Sequence, residues 1–372
     1  MDDKGEMTIK FKTFFPALAA MLIAGSAVSG TVKIAGADRY QVTVLGDVHY
    51  DTKEYHTTKA KTPKHEEKRA KNINQWQGNS QEILSAAAKA SSDTAPFVIQ
   101  LGDIINGDCQ TVELQGIAMK TAFAVVKKYF NGKKLFSVCG NHEYWGPKGS
   151  KEIIDEAFVP LLQRELGKKE KLSGTNYAVR YGKDLYIFYD LRRTTGGAEF
   201  VRKVIAQNSD ARHVFFLTHL PMFPCSKGNP GWVVPDFKEL IPLLAKHNAI
   251  VLCGHSHFWG HHVCKNANGK LTQFMITSVG YLWSPGTPLE KYFTSFADWK
   301  KNINPKYFTK ANQWSIDNLT FFKNEDFIHY ESLKRIPSGF AKIEVDGDRV
   351  LGHIYTDKSG KPAKTLLLKD GK

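Results

Sequence analysis

Five short apolar runs, each closed abruptly by glycine or threonine and then by Asp, Asn or His, constrain this chain more than any other feature. They are Val42-Thr-Val-Leu-Gly-Asp-Val-His49, Phe97-Val-Ile-Gln-Leu-Gly-Asp103, Phe136-Ser-Val-Cys-Gly-Asn-His-Glu143, Val214-Phe-Phe-Leu-Thr-His219 and Ile250-Val-Leu-Cys-Gly-His-Ser-His257. Runs of this length bounded by turn residues read as buried strands. Helical spacing lies between them at about Ile73 to Ala90, Glu113 to Tyr129 and Ser150 to Glu165, near Phe200, and from Phe237 to His247. A hairpin, Asn176 to Tyr181 and Leu185 to Asp190, turns at Gly182-Lys-Asp184, and a further strand is expected from Gln273 to Val279. Strands alternating with helices make an α/β chain. Such sheets gather their ligands outside the carboxyl ends of the strands. The polar endings are therefore expected to converge, bringing together Asp47, His49, Asp103, Asn141, His142, His219, His255 and His257.

The chain has 372 residues, 42% hydrophobic and 12% aromatic, which excludes extended disorder and allows two domains or one large domain with insertions. Lys10 and Lys12 precede an apolar run from Phe14 to Val28 and then small residues, Gly25-Ser-Ala-Val-Ser-Gly30. This pattern predicts a signal peptide over 1–30 and a secreted or periplasmic protein. The run falls short of the ~20 residues that span a bilayer, so no stable membrane insertion is expected once the leader is removed. Among five cysteines, Cys109, Cys139, Cys225, Cys253 and Cys264, an odd one must stay unpaired. Cys139 and Cys253 read as small core residues. Cys225 and Cys264 follow two polar endings, and a disulfide between them is left open.

A net charge of +14 survives loss of the leader, because residues 1–30 carry as many acids as lysines. It favours anionic partners, whether phosphate esters, nucleic acid or acidic glycan, or serves solubility alone. The lysine-rich stretch Lys53 to Lys71 has no apolar period and reads as a loop. Between Tyr281 and Ile336 aromatic residues crowd the chain, including Trp283, Trp299, Trp314, Phe321 and Phe327. This stretch reads as a cap lining a cleft or as an insertion with its own small core. Gly339 to Tyr355 alternates about an Asp-Gly turn and reads as a hairpin joining the sheet. The domains expected are a leader at 1–30, a core at 38–280, a cap at 281–336 and a terminal hairpin at 337–372.

Imidazole, carboxylate and amide oxygen together suit zinc, manganese or iron, and thiolate is absent from all five endings. Seven donors fill two metal sites, and a metal pair fits in-line attack at phosphorus. In order and content, Asp47-Val-His49, Gly102-Asp103, Gly140-Asn-His-Glu143, His219 and Gly254-His-Ser-His257 resemble the signature of the calcineurin-like metallophosphoesterases. The resemblance covers roughly residues 40 to 260. It implies a double β-sheet sandwich flanked by helices, and hydrolysis of phosphate esters by a hydroxide activated between two metal ions. It also implies one metal on Asp47, His49 and His257, another on Asn141, His219 and His255, and Asp103 bridging, with His142 as general acid. The family often pairs this histidine with an acid where Asn106 stands here, so either the Asn106 amide carbonyl or Asp108 takes that part. Asn106 also replaces the tyrosine ligand of the purple acid phosphatases, and Gly102-Asp-Ile-Ile-Asn-Gly-Asp108 departs from the G-D-x-x-D-R-G of Ser/Thr protein phosphatases.

Outside the motif, His261 and His262 read as substrate contacts or as surface or supporting histidines, and Glu143 as orienting its turn. Arg192 and Arg193 are phosphate contacts or loop residues. Asn318-Leu-Thr320 is an N-glycosylation acceptor sequence. Monoester and diester substrates are not separated. A binding module for anionic ligands on the same scaffold, and a basic protein docking on nucleic acid or glycan, are the alternatives.

Overall fold

The computed structural model describes residues 31–56, 62–92, 94–167, 172, 174–190, 196–226, 232–280, 321, 326–333, 338–356 and 360–371. The leader, Arg192, Arg193, Asn318 and nearly all of the aromatic stretch lie outside the described residues.

In chain order the strands are β1 (Val32–Ile34), β2 (Arg39–Leu45), β3 (Val98–Gln100), β4 (Leu135–Ser137), β5 (Tyr177–Tyr181), β6 (Asp184–Tyr189) and β7 (His213–Thr218). They continue with β8 (Ile250–Cys253), β9 (Trp259–Asn266), β10 (Gly269–Met275), β11 (Asp326–Leu333), β12 (Phe340–Asp346), β13 (Arg349–Tyr355) and β14 (Lys364–Lys369). The helices are α1 (Pro63–Gln75), α2 (Gln81–Ala90), α3 (Val112–Tyr129), α4 (Asn141–Tyr144), α5 (Ile153–Ala157), α6 (Val159–Leu166), α7 (Gly197–Gln207) and α8 (Phe237–Lys246).

Two sheets result. One has eight strands in the order β1-β5-β6-β7-β8-β10-β9-β11, and the other six, β14-β13-β12-β2-β3-β4. In the smaller sheet β2, β3 and β4 run parallel, and in the larger β6, β7, β8 and β10 do. One apolar core joins the inner faces, drawing Val42, Ile99 and Phe136 from the smaller sheet and Phe188, Phe215, Leu252 and Phe274 from the larger. Aromatic stacking adds to it, with Tyr177 on Phe188 at 4.4 Å and Tyr186 on Phe215 at 4.6 Å. A second core lies where Val201 and Val204 of α7 and Leu240 and Leu244 of α8 cover the larger sheet. This is the double-sheet sandwich the motifs imply. Among the described residues no helix is long and apolar enough to cross a membrane.

Four local expectations change. The segment read as a polar loop contains α1, which begins where Thr62 accepts a hydrogen bond from the His65 amide and Pro63 takes the first helical position. That start signal operates without an apolar stripe, and only Asn72 and Ile73 of α1 are buried. The helix expected over 150–165 is broken at Phe158 into α5 and α6. The strand expected from Gln273 begins at Gly269 and is preceded by β9, whose polar residues hid it. Finally, β11 falls inside the stretch set apart as a cap, yet it pairs antiparallel with β9 as an edge strand. The terminal hairpin forms and pairs through β12 with β2, with β14 added outside β13.

Candidate metal centre

The parallel strands β2, β3, β4, β7 and β8 each end in one of the polar motifs, and all eight expected residues meet where the two sheets converge. The turns are tight. His49, Asp103, His255 and His257 all hold left-handed backbones, with φ of 49, 53, 70 and 55°. Residues with a Cβ rarely adopt this conformation, and when they do the strain is usually held at a functional site. Glycine serves close approach here: a Cβ on Gly140 would stand 2.1 Å from Asp103 Oδ1.

Two groups of donors are visible. In the first, His257 Nε2 lies 3.3 Å from Asp47 Oδ1 and 3.2 Å from His49 Nε2. In the second, His219 Nε2 lies 3.0 Å from Asn141 Oδ1, 3.1 Å from Asp103 Oδ2 and 3.1 Å from His255 Nδ1. Asp103 Oδ2 also faces the first group, 4.0 Å from His49 Nε2. Donors about 2.1 Å from a tetrahedral ion stand about 3.4 Å apart, so both groups have the spacing of a coordination shell. Asp47 Oδ1 is buried and accepts no hydrogen bond. It is the atom toward which His257, His49 and His219 all point, within 3.9 Å. A cation is the group that such an oxygen lacks.

The electrostatics agree. Burial opposes charge on Asp47 and Asp103, yet the adjoining imidazoles, His257 for Asp47 and His219 for Asp103, hold both carboxyls below their usual range. Burial, followed by the nearness of His142, pushes His49 well down, and burial with His219 takes His255 to about 3. These two rings are neutral and ready to ligate. His219 goes the other way, to about 10: burial disfavours its charge, but Asp103 and then Asp47 outweigh that. It is the place where the cluster most lacks positive charge. His219 Nδ1 donates to the Leu101 carbonyl at 2.8 Å, which turns Nε2 into the centre.

Around the donors, Glu143 accepts from the amides of Asp103, Gly140 and Ile105 at 2.8, 2.6 and 3.2 Å. It holds two of the motif turns together through their backbone amides. Burial and then the Asp103 charge push its carboxyl up to about 8. His142 donates from Nδ1 to the backbone carbonyl of Asn106, leaving Nε2 toward the centre, 3.9 Å from Asp103 Oδ2. Both side-chain expectations for its partner are thus corrected. The Asn106 amide donates instead to Asp51 at 3.1 Å, and Asp51 also binds His56 at 2.8 Å. Asp108 is engaged by His65 and Arg69 of α1.

A cleft of 230 Å³ opens over the centre, walled by Trp232, Ser226 and Ser256 beside the motif residues. Trp232 is half exposed, 49%, and its ring lies 4.7 Å from that of His255. Neither Trp232 nor Asp51 carries a motif, so sequence reasoning passed over both. His261 and His262 do not line the cleft. Cys225 and Cys264 are separate thiols, and Cys225 Sγ lies against Ser256 Oγ and Met275 Sδ.

Strand ends of two converging sheets that supply Asp, His and Asn to one paired centre define a metallophosphoesterase-type site. Residues 40–258 match the calcineurin-like phosphoesterase family, and this chain belongs to it. Among solved structures, that of PhoD is similar at 11% identity and a TM-score of 0.50, over 89% of this chain and 69% of that one. It shows the shared fold. GAP50, described as the anchor in the inner membrane complex of Plasmodium, aligns at 12% identity with a TM-score of 0.48, over 90% of each chain. No curated protein matches in sequence.

Proposed function

We propose that this protein hydrolyses phosphate esters with two divalent or mixed-valence transition-metal ions, Mn, Zn or Fe. Asp47, His49 and His257 would hold one ion and Asn141, His219 and His255 the other, with Asp103 shared. The observation that carries this reading is the spacing of these donors around Asp103, together with the unsatisfied Asp47 Oδ1. When bound, the ions supply Lewis acidity toward phosphoryl oxygens and lower the pKa of attacking water.

The chain's own residues do the rest. Asp103 Oδ1 accepts from the His142 amide at 2.8 Å, which fixes the carboxylate and the acid relative to each other. With its Nδ1 proton committed to Asn106, His142 carries the mobile proton on Nε2. From there it protonates the leaving alkoxide or hydrogen-bonds a phosphoryl oxygen. Asn141 brings a neutral amide oxygen, so the centre keeps more positive charge than three carboxylates would leave it, which favours an anionic substrate. Trp232 and the two serines border the space beyond the centre where the alcohol portion of the ester would sit.

The test is metal analysis of the purified protein with a panel of mono- and diesters, for the native chain and Asp103→Asn. At least two transition metals per chain, turnover abolished by chelator and absent in Asp103→Asn, are expected. Anion binding without turnover at full metal occupancy would favour a ligand-binding module instead.

A further inference from the structure

One side-chain cluster outside the centre has metal-ligating chemistry and no task in the reading above. His261 lies on β9, His329 and Glu331 on β11, and these strands pair antiparallel with His261 opposite Glu331. Residues two apart on a strand share a face, and directly opposed residues share it as well. The register shift between Phe327 and His329 makes this possible. It sends Phe327 to the outer core beside Phe223 while His329 turns to the other face. That other face looks toward the second sheet. His261 is opposite Phe274 of β10, the Phe274 ring abuts Gly352 of β13, and Glu331 receives Lys364 of β14.

One ligand atom from each of His261, His329 and Glu331 lies within 4.8 Å of the others. The two imidazole rings are 4.6 Å apart, and His329 Nε2 is 3.7 Å from Glu331 Oε2. Lys364 occupies the other carboxylate oxygen, Oε1, leaving Oε2 toward the histidines and holding the carboxylate in place. A solvated ion pair would account for His329 and Glu331, which are part exposed. It does not account for His261, which is 9% exposed and whose Nε2 is buried with no hydrogen bond. Burial, then the adjoining His329, lowers its pKa to about 4, so the ring is a neutral donor at pH 7.

We propose that His261, His329 and Glu331 bind a zinc-type divalent cation, separate from the paired centre, that fastens the edge strand β11 to β9. Two imidazole nitrogens and a carboxylate oxygen are a zinc donor set, with the fourth position left to water. The site does not depend on the phosphoesterase reading.

The test strips the whole chain of metal, reloads it with zinc and counts bound zinc in the native protein, His329→Ala, Glu331→Gln and Asp103→Asn. His329→Ala and Glu331→Gln are expected to hold about one zinc ion fewer than the native chain. Both should also lose part of the zinc-dependent rise in Tm. Asp103→Asn should keep the ion that they lose. If His329→Ala is misfolded by circular dichroism, Glu331→Gln gives the count. Equal zinc in the native chain and both strand variants overturns the site, as does Asp103→Asn losing every ion. If the strand variants lose an ion but chelator leaves ester hydrolysis unchanged, the site stands and the reading of the paired centre fails.

Discussion

His142 shows how one side chain receives its task from what holds it. Its Nδ1 is committed to a backbone carbonyl, so only Nε2 is available to a substrate. The same ring also falls in a donor triple with His49 and Asp103, which would suit a ligand. Replacing it separates the two roles. His142→Ala is expected to lower kcat by ~100-fold or more while both metals stay bound, read from steady-state rates beside metal counts. Loss of metal from that variant would make His142 a ligand. The motif residues were legible one by one because Asp, His and Asn at strand ends carry their chemistry in their side chains. The partner of His142 was not legible, since it is a main-chain oxygen that every residue possesses. Asp51 and Trp232 were equally hidden. Asp51 acts through a hydrogen bond to Asn106, and Trp232 matters only because folding sets its ring on His255.

At the scale of elements, the site is made by five strand ends that must come unusually close. A Cβ on Gly140 would meet Asp103 Oδ1 at 2.1 Å and the Asp103 amide nitrogen at 2.4 Å, and neither atom can yield without moving the shared donor. Gly140→Ala is therefore expected to lower activity by on the order of 100-fold, because a displacement of about 1 Å at a reacting group costs that much. Metal affinity should fall with it while far-UV circular dichroism is unchanged. Gly78→Ala is the control: nothing lies within 4 Å of its added Cβ. Retained activity and metal in Gly140→Ala would show that the turn tolerates a shift. Strands with long apolar runs were read correctly from periodicity, as β7 and β8 show. Periodicity failed for β9 and α1. Histidines and lysines mask β9's pattern, while α1 is set by its Thr62 cap and by Asp108 rather than by an apolar face.

For the whole molecule, the centre is also a fastening between the sheets, since Asp47, Asp103 and Asn141 come from one and His219, His255 and His257 from the other. The buried carboxylates lie against imidazoles across that junction, and a bound metal pair would strengthen it. Ligand at a thousandfold excess over its Kd stabilises the folded state by about 4 kcal/mol. Calorimetry with and without chelator should therefore show Tm lower by several degrees in the stripped protein, and an unchanged Tm would mean that the sheets are held by the apolar core alone. The order of the motifs along the chain was enough to determine the α/β class and the family, and to mark the residues that cluster, because each motif is local and its residues bring their own chemistry. Only tertiary structure decided which nitrogen of His142 is free, what walls the cleft and where β11 pairs. Those depend on distances between segments far apart in the chain, and such distances are set by the packing of two sheets rather than by any single stretch of sequence.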